Sequence, residues 1–98
     1  MPKYFFIAHG TLQGVGFRHF VKTTAEKYSL KGFVRNRLDG SVEIYVNGDE
    51  RAIEMFAKEI NIDDRVMQVF SIEKYSQGQK GFPNDLGDYD EFVVEKTL

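Results

Sequence analysis

The chain contains no cysteine. That excludes disulfides, thiolate metal ligands and a sulfur nucleophile, and it leaves the redox compartment open. Histidine is scarce as well. His9 and His19 stand ten residues apart with no third ligand near them in sequence, so a metal site has little support. No apolar run approaches the ~20 residues that span a bilayer, and no charged-then-apolar signal opens the chain. We therefore expect no membrane association and a cytoplasmic location. No Ser or Thr has a convincing His/Asp pair to support a covalent serine mechanism. The carboxylate clusters, Asp63-Asp64 and Asp85 to Glu91, lack the alternating oxygen ligands and glycine of a calcium loop and read as solvated charge. Repeats, linkers and low-complexity tracts are absent too, so residues 1–98 read as one domain, expected to be a monomer.

Aromatic residues are plentiful: nine Phe and five Tyr in a chain that is 42% apolar. Such a composition supports one modest core without staples. Charge is unevenly placed. Residues 1–37 hold seven Lys/Arg against one acid, whereas residues 38–98 hold six against fourteen. The positive first part suits a small anion. The acidic remainder disfavours a nucleic acid lying across the whole face, because such affinity scales with the phosphates neutralised.

Periodicity divides the chain into elements. Lys3 to His9 reads as a mostly apolar, hence central, strand. From Phe17 the spacing turns helical, with Phe17, Phe20, Val21, Ala25 and Tyr28 on one stripe, and Gly32 is expected at or just past the helix stop. Phe33 to Arg37 is a short strand. Leu38-Asp39-Gly40-Ser41 is a hairpin turn, leading to a half-buried strand in which Val42, Ile44 and Val46 alternate with polar neighbours. Asp49 is the expected N-cap of a second helix carrying Ala52, Ile53, Phe56, Ala57 and Ile60. Val66 to Tyr75 reads as a strand with Phe70 and Ile72 on one face, Ser76 to Asp88 as a long mobile loop, and Glu91 to Lys96 as a last short strand. The order predicts an α+β, ferredoxin-like βαββαβ sandwich. Its sheet is mostly antiparallel, with two helices on one face and a short extra C-terminal strand.

The densest local signal is Gly10 to Arg18, Gly-Thr-Leu-Gln-Gly-Val-Gly-Phe-Arg, between the first strand and the first helix. Glycines let backbone N–H groups approach an anion and take positive φ, the helix N-terminus adds partial positive charge, and Arg18 adds a planar cationic fork. The spacing fits neither a Walker A loop nor a dinucleotide fingerprint. On these residues alone, a tight turn with a solvated arginine is an equal alternative. If water is the nucleophile, Asn36 is the neutral residue placed to orient it, since an amide donates and accepts at once. On these residues alone, a turn-facing Asn at a strand end is the favoured reading there.

The same residues resemble the acylphosphatases. Gly10 to Arg18 is similar to their phosphate loop, Gly-x-Val-Gln-Gly-Val-x-Phe-Arg, departing only at Leu12. Gly32-Phe33-Val34-Arg35-Asn36, followed by Gly40-x-Val42 and Gly48, matches their second signature. The resemblance spans residues 10–48. Beyond that it is one of element order and size, and the 76–88 loop is long for the family. It implies hydrolysis of small acyl phosphates to carboxylate and phosphate, with Arg18 and Asn36 catalytic and no metal or cofactor. It also implies a binding loop made of Gly14, Val15, Gly16, Phe17 and Arg18. Two rivals are weaker. Lys31-Gly32-Phe33 opens like an RNA-recognition signature, but Val34, Arg35, Asn36 and Leu38 then break it. A module taking another phosphorylated group, such as carbamoyl phosphate, is the other, and a free-standing hydrolase is favoured over it.

Overall fold

The computed structural model describes residues 1–97. Its elements run β1 (Lys3–Thr11), α1 (Phe17–Lys27), β2 (Lys31–Asn36), β3 (Val42–Asn47), α2 (Glu50–Ile60), β4 (Gln68–Ser76) and β5 (Phe92–Val94). The sheet order is β4-β1-β3-β2-β5, with β5 parallel to β2 and the other pairings antiparallel. This is the expected ferredoxin-like sandwich with one short strand added at an edge.

Alternation along the strands sends two sets of side chains to two faces. Phe6 and Ala8 of β1 and Val42, Ile44 and Val46 of β3 meet Phe17, Val21 and Ala25 of α1 and Ile53, Phe56 and Ile60 of α2 in the main core. The helical stripes thus lie where their 3.6-residue period puts them. Asp49 caps α2 as expected, its side chain accepting from Ala52 N at 3.2 Å.

The second face differs from expectation. Phe5, Phe33 and Tyr45 form a smaller cluster, covered by Phe82, Leu86, Tyr89 and Val93. The Tyr89 ring lies 5.6 Å from Phe33 and 6.0 Å from Tyr45. The segment expected to be a mobile loop is therefore packed across the sheet. For the same reason β3 is not half-buried: residues 42–46 are buried on both faces. Glu43, on the covered side, is 7% exposed and bonded to Arg35.

Gly32 is not at the helix stop but inside β2, where a Cβ would fall 1.9 Å from Tyr45 O. It permits close approach of β2 to β3. α1 stops earlier, in a Schellman arrangement: Ser29 takes φ 55°, Leu30 N donates to Ala25 O at 2.9 Å, and Ser29 N donates to Glu26 O at 3.1 Å. Phe70 and Ile72 do not share a face. The β1–β4 register shifts between His9 and Gly10, so a bulge turns Phe70 out to 73% exposure while Val69 and Ile72 contact the core.

Candidate functional site

The loop between β1 and α1 is a turn of left-handed glycines. Gly14 has φ 78° and Gly16 φ 85°, and Gly16 serves as N-cap of α1 without a side chain to bond the first-turn N–H groups. The first turn carries no acid. The contrast with α2, capped by Asp49 and followed by Glu50, is chemical: one helix N-terminus meets its own carboxylates, and the other presents bare donors. Among the described residues, none accepts a backbone hydrogen bond from the N–H groups of Gly14, Val15 or Gly16.

Gly14, Gly16, Phe17, Arg18, His19 and Val94 line a cavity of about 280 Å³. Among the described residues no carboxylate lies within 4.0 Å of the Arg18 guanidinium, whereas Arg35 and Arg37 both pair with Glu43, at 2.6 and 3.5 Å. Among the described residues, the Arg18 guanidinium is thus without the ion-pair partner that Arg35 and Arg37 share. Four of the five residues expected in the binding loop, Gly14, Gly16, Phe17 and Arg18, line this cavity, and Val15 does not.

Asn36 ends β2. It is 7% exposed, and its Oδ1 is buried with no hydrogen-bond partner among the described residues. Such an orphaned acceptor is costly unless water or a ligand completes it. Asn36 is not among the cavity-lining residues. What joins its strand end to the glycine loop is Gln13, whose Nε2 donates to Arg37 O at 2.7 Å and Ser41 O at 3.0 Å. These two carbonyls flank the β2–β3 turn, in which Ser41 N and Oγ also donate to Asp39 Oδ1. Those bonds, the Ser41 side chain's foremost, hold the Asp39 carboxyl below its ordinary value.

Gln13 and Val94 carry no role in the sequence reading. The signal for Gln13 is present there, as the one amide in a loop otherwise poor in side-chain chemistry. Val94 has none, since it reaches the cavity only because β5 pairs with β2 through Val34. Of the histidines, His19 lines the cavity, and His9 is bonded to Glu73 at 2.6 Å. Among the described residues, no three His, Asp or Glu side chains converge to hold a metal, and no helix is long and apolar enough to cross a membrane.

The acylphosphatase family model matches residues 4–86. An acylphosphatase of Bacillus licheniformis is 50% identical over 60 residues, covering 61% of this chain and 67% of that protein. The crystal structure of acylphosphatase from Bacillus subtilis matches with a TM-score of 0.83 at 34% identity, over 97% of this chain and 99% of that one. Full-length HypF, solved in a phosphate- and nucleotide-bound form, matches with a TM-score of 0.80 at 31% identity, over 98% of this chain but 12% of HypF.

Proposed function

This chain belongs to the acylphosphatase family of enzymes, and we propose that it hydrolyses small acyl phosphates by direct attack of water on phosphorus. The N–H groups from Gly14 to Arg18 surround the phosphoryl oxygens, and the Arg18 guanidinium clamps two of them. Asn36 accepts a hydrogen bond from the attacking water through Oδ1. The new bond joins water oxygen to phosphorus, the bond from phosphorus to the acyl oxygen breaks, and its electron pair leaves on the carboxylate. The water proton passes to a phosphoryl oxygen of the substrate itself, giving R–COO⁻ and dihydrogen phosphate.

The residue inventory suits this reaction. A carboxylate leaving group, whose acid has a pKa of about 4, needs no general acid. Positioning and electrostatic stabilisation of the equatorial oxygens remain, and both are within reach of backbone donors, one guanidinium and one amide. The observation that carries the reading is a ring of donors that meets no acceptor among the described residues: two left-handed glycines, an uncapped helix and the Arg18 guanidinium around one cavity. The orphaned Asn36 Oδ1 supports the water-positioning role.

The direct test is phosphate release from benzoyl phosphate in excess chelator, for wild type beside Arg18→Ala. Chelator-resistant turnover that is lost with Arg18 is expected. Turnover unchanged in Arg18→Ala would overturn the assignment. Absence of turnover would direct the assay to carbamoyl phosphate, which presents the same carboxyl–phosphate anhydride.

A further inference from the structure

A second and larger cavity, of about 610 Å³, lies on the sheet face away from the helices, between that face and the segment following β4. It shares no lining residue with the cavity at Arg18. Its size falls within the ~300–1,000 Å³ of small-molecule sites. Phe82 and Leu86, both half-buried, form its apolar wall, and Tyr45, only 3% exposed, backs that wall from beneath. The Phe82 ring stands edge-on to Tyr45 at 6.3 Å.

The charge of the lining is unlike that of the chain around it. Residues 38–98 hold fourteen acids against six bases, yet among the described residues the cavity is lined by Lys3 and Lys80 and by no carboxylate. Asp88 acts on Tyr45 from outside the lining and, behind burial, helps to raise its phenol above the ordinary value. The segment is also held in place rather than draped. Gln77 N donates to Lys3 O at 3.1 Å, Phe82 N donates to Gln79 O at 3.0 Å, and Gln79 Oε1 accepts from Ser76 N at 3.0 Å. Gly81 approaches the Tyr75 ring so closely that a Cβ would fall 2.4 Å from it. The cavity is a pocket with a fixed wall.

We propose that this cavity is a binding site for an amphipathic anion: an aromatic or aliphatic body with a single anionic group. The apolar body lies on Phe82 and Leu86, which Tyr45 supports from beneath, and the anion is met by Lys3 and Lys80. Two flexible ammonium groups suit a carboxylate or sulfonate as point charges, without the bidentate geometry that arginine would impose. The site is independent of phosphoryl chemistry at Arg18, and its occupancy does not depend on the function proposed above.

The test uses 8-anilinonaphthalene-1-sulfonate as anionic probe and N-phenyl-1-naphthylamine as its neutral counterpart. Binding is followed by fluorescence and mapped on the folded protein by amide chemical shifts. Saturable binding of the anion is expected, with shifts at Tyr45 and across residues 77–86. Saturating inorganic phosphate and Arg18→Ala leave it unchanged. The double variant Lys3→Ala/Lys80→Ala weakens the anion about tenfold, leaves the neutral probe within about twofold, and retains wild-type turnover. Absence of saturable binding, shifts confined to the Arg18 loop or to the exposed Phe70, or a double variant that binds the anion as wild type does, would each overturn the proposal.

Discussion

Gln13 Nε2 donates to Arg37 O at 2.7 Å, across 24 residues of sequence. This bond, with the companion bond to Ser41 O, ties the glycine loop to the turn that follows Asn36. Two functions proposed for separate strand ends are thereby held in one frame. Both acceptors are carbonyls, so the contact requires a donor.

Gln13→Ala is expected to cost about 1–2 kcal/mol of stability, the worth of two partly buried hydrogen bonds. It should also lower kcat more than it raises KM, because the loop loses its register with Asn36 while keeping Arg18. Gln13→Glu turns the donor into an acceptor facing two carbonyls and should be worse than alanine on both counts. Urea midpoints and steady-state kinetics give the readouts. A glutamate variant as active as wild type would show that the tether does not position the site.

Arg18 and Asn36 are expected to separate kinetically. Asn36→Ala should lose ~10²–10³ in kcat with little change in inhibition by inorganic phosphate, as for a group that acts in the transition state. Arg18→Ala should lose kcat and phosphate inhibition together. Near wild-type kcat in Asn36→Ala would remove it from the mechanism.

The glycines differ in why they are needed. At Gly16 nothing lies within 4 Å of the place a Cβ would take, so Gly16→Ala meets only the left-handed φ of 85°, worth about 1–2 kcal/mol. Gly32→Ala would drive a Cβ into Tyr45 O and should be far more destabilising. At Ser29, where φ is already 55°, Ser29→Gly relieves the same backbone cost and should stabilise the chain by about 1 kcal/mol. Chemical denaturation of the three variants checks the order.

Acid should weaken the fold. Asp39, Glu59, Asp64 and Glu73 are all held below their ordinary values, chiefly by bonds from the Ser41 side chain, Lys27, the Met67 N–H and Tyr75 respectively. A carboxyl whose pKa is depressed in the folded state binds protons more weakly there than in the unfolded chain. Its contribution is therefore complete above the unfolded value of about 4 and is lost as pH falls through the folded value. Urea midpoints should fall steadily below pH 4. A midpoint unchanged between pH 5 and 3 would contradict these shifts.

Short-range physics is legible in this chain without its fold. The helical stripes of α1 and α2, the Asp49 cap, the Asp39-Gly40 turn and the order of elements all follow from period, capping and turn chemistry within a few residues. The glycine loop at the mouth of α1 is legible for the same reason, as is its Arg18. Contacts between distant segments settle the remainder. Gly32 reads as a helix stop because glycine serves both helix ends and close strand approach, and only the neighbouring Tyr45 carbonyl distinguishes them. Phe70 sits in a regular alternation that a bulge against Gly10 interrupts. The covering of Phe5, Phe33 and Tyr45 by Phe82, Leu86 and Tyr89 joins segments distant in sequence. Such a cover has no period, since each apolar residue of the segment is placed by the sheet beneath it and not by its chain neighbours.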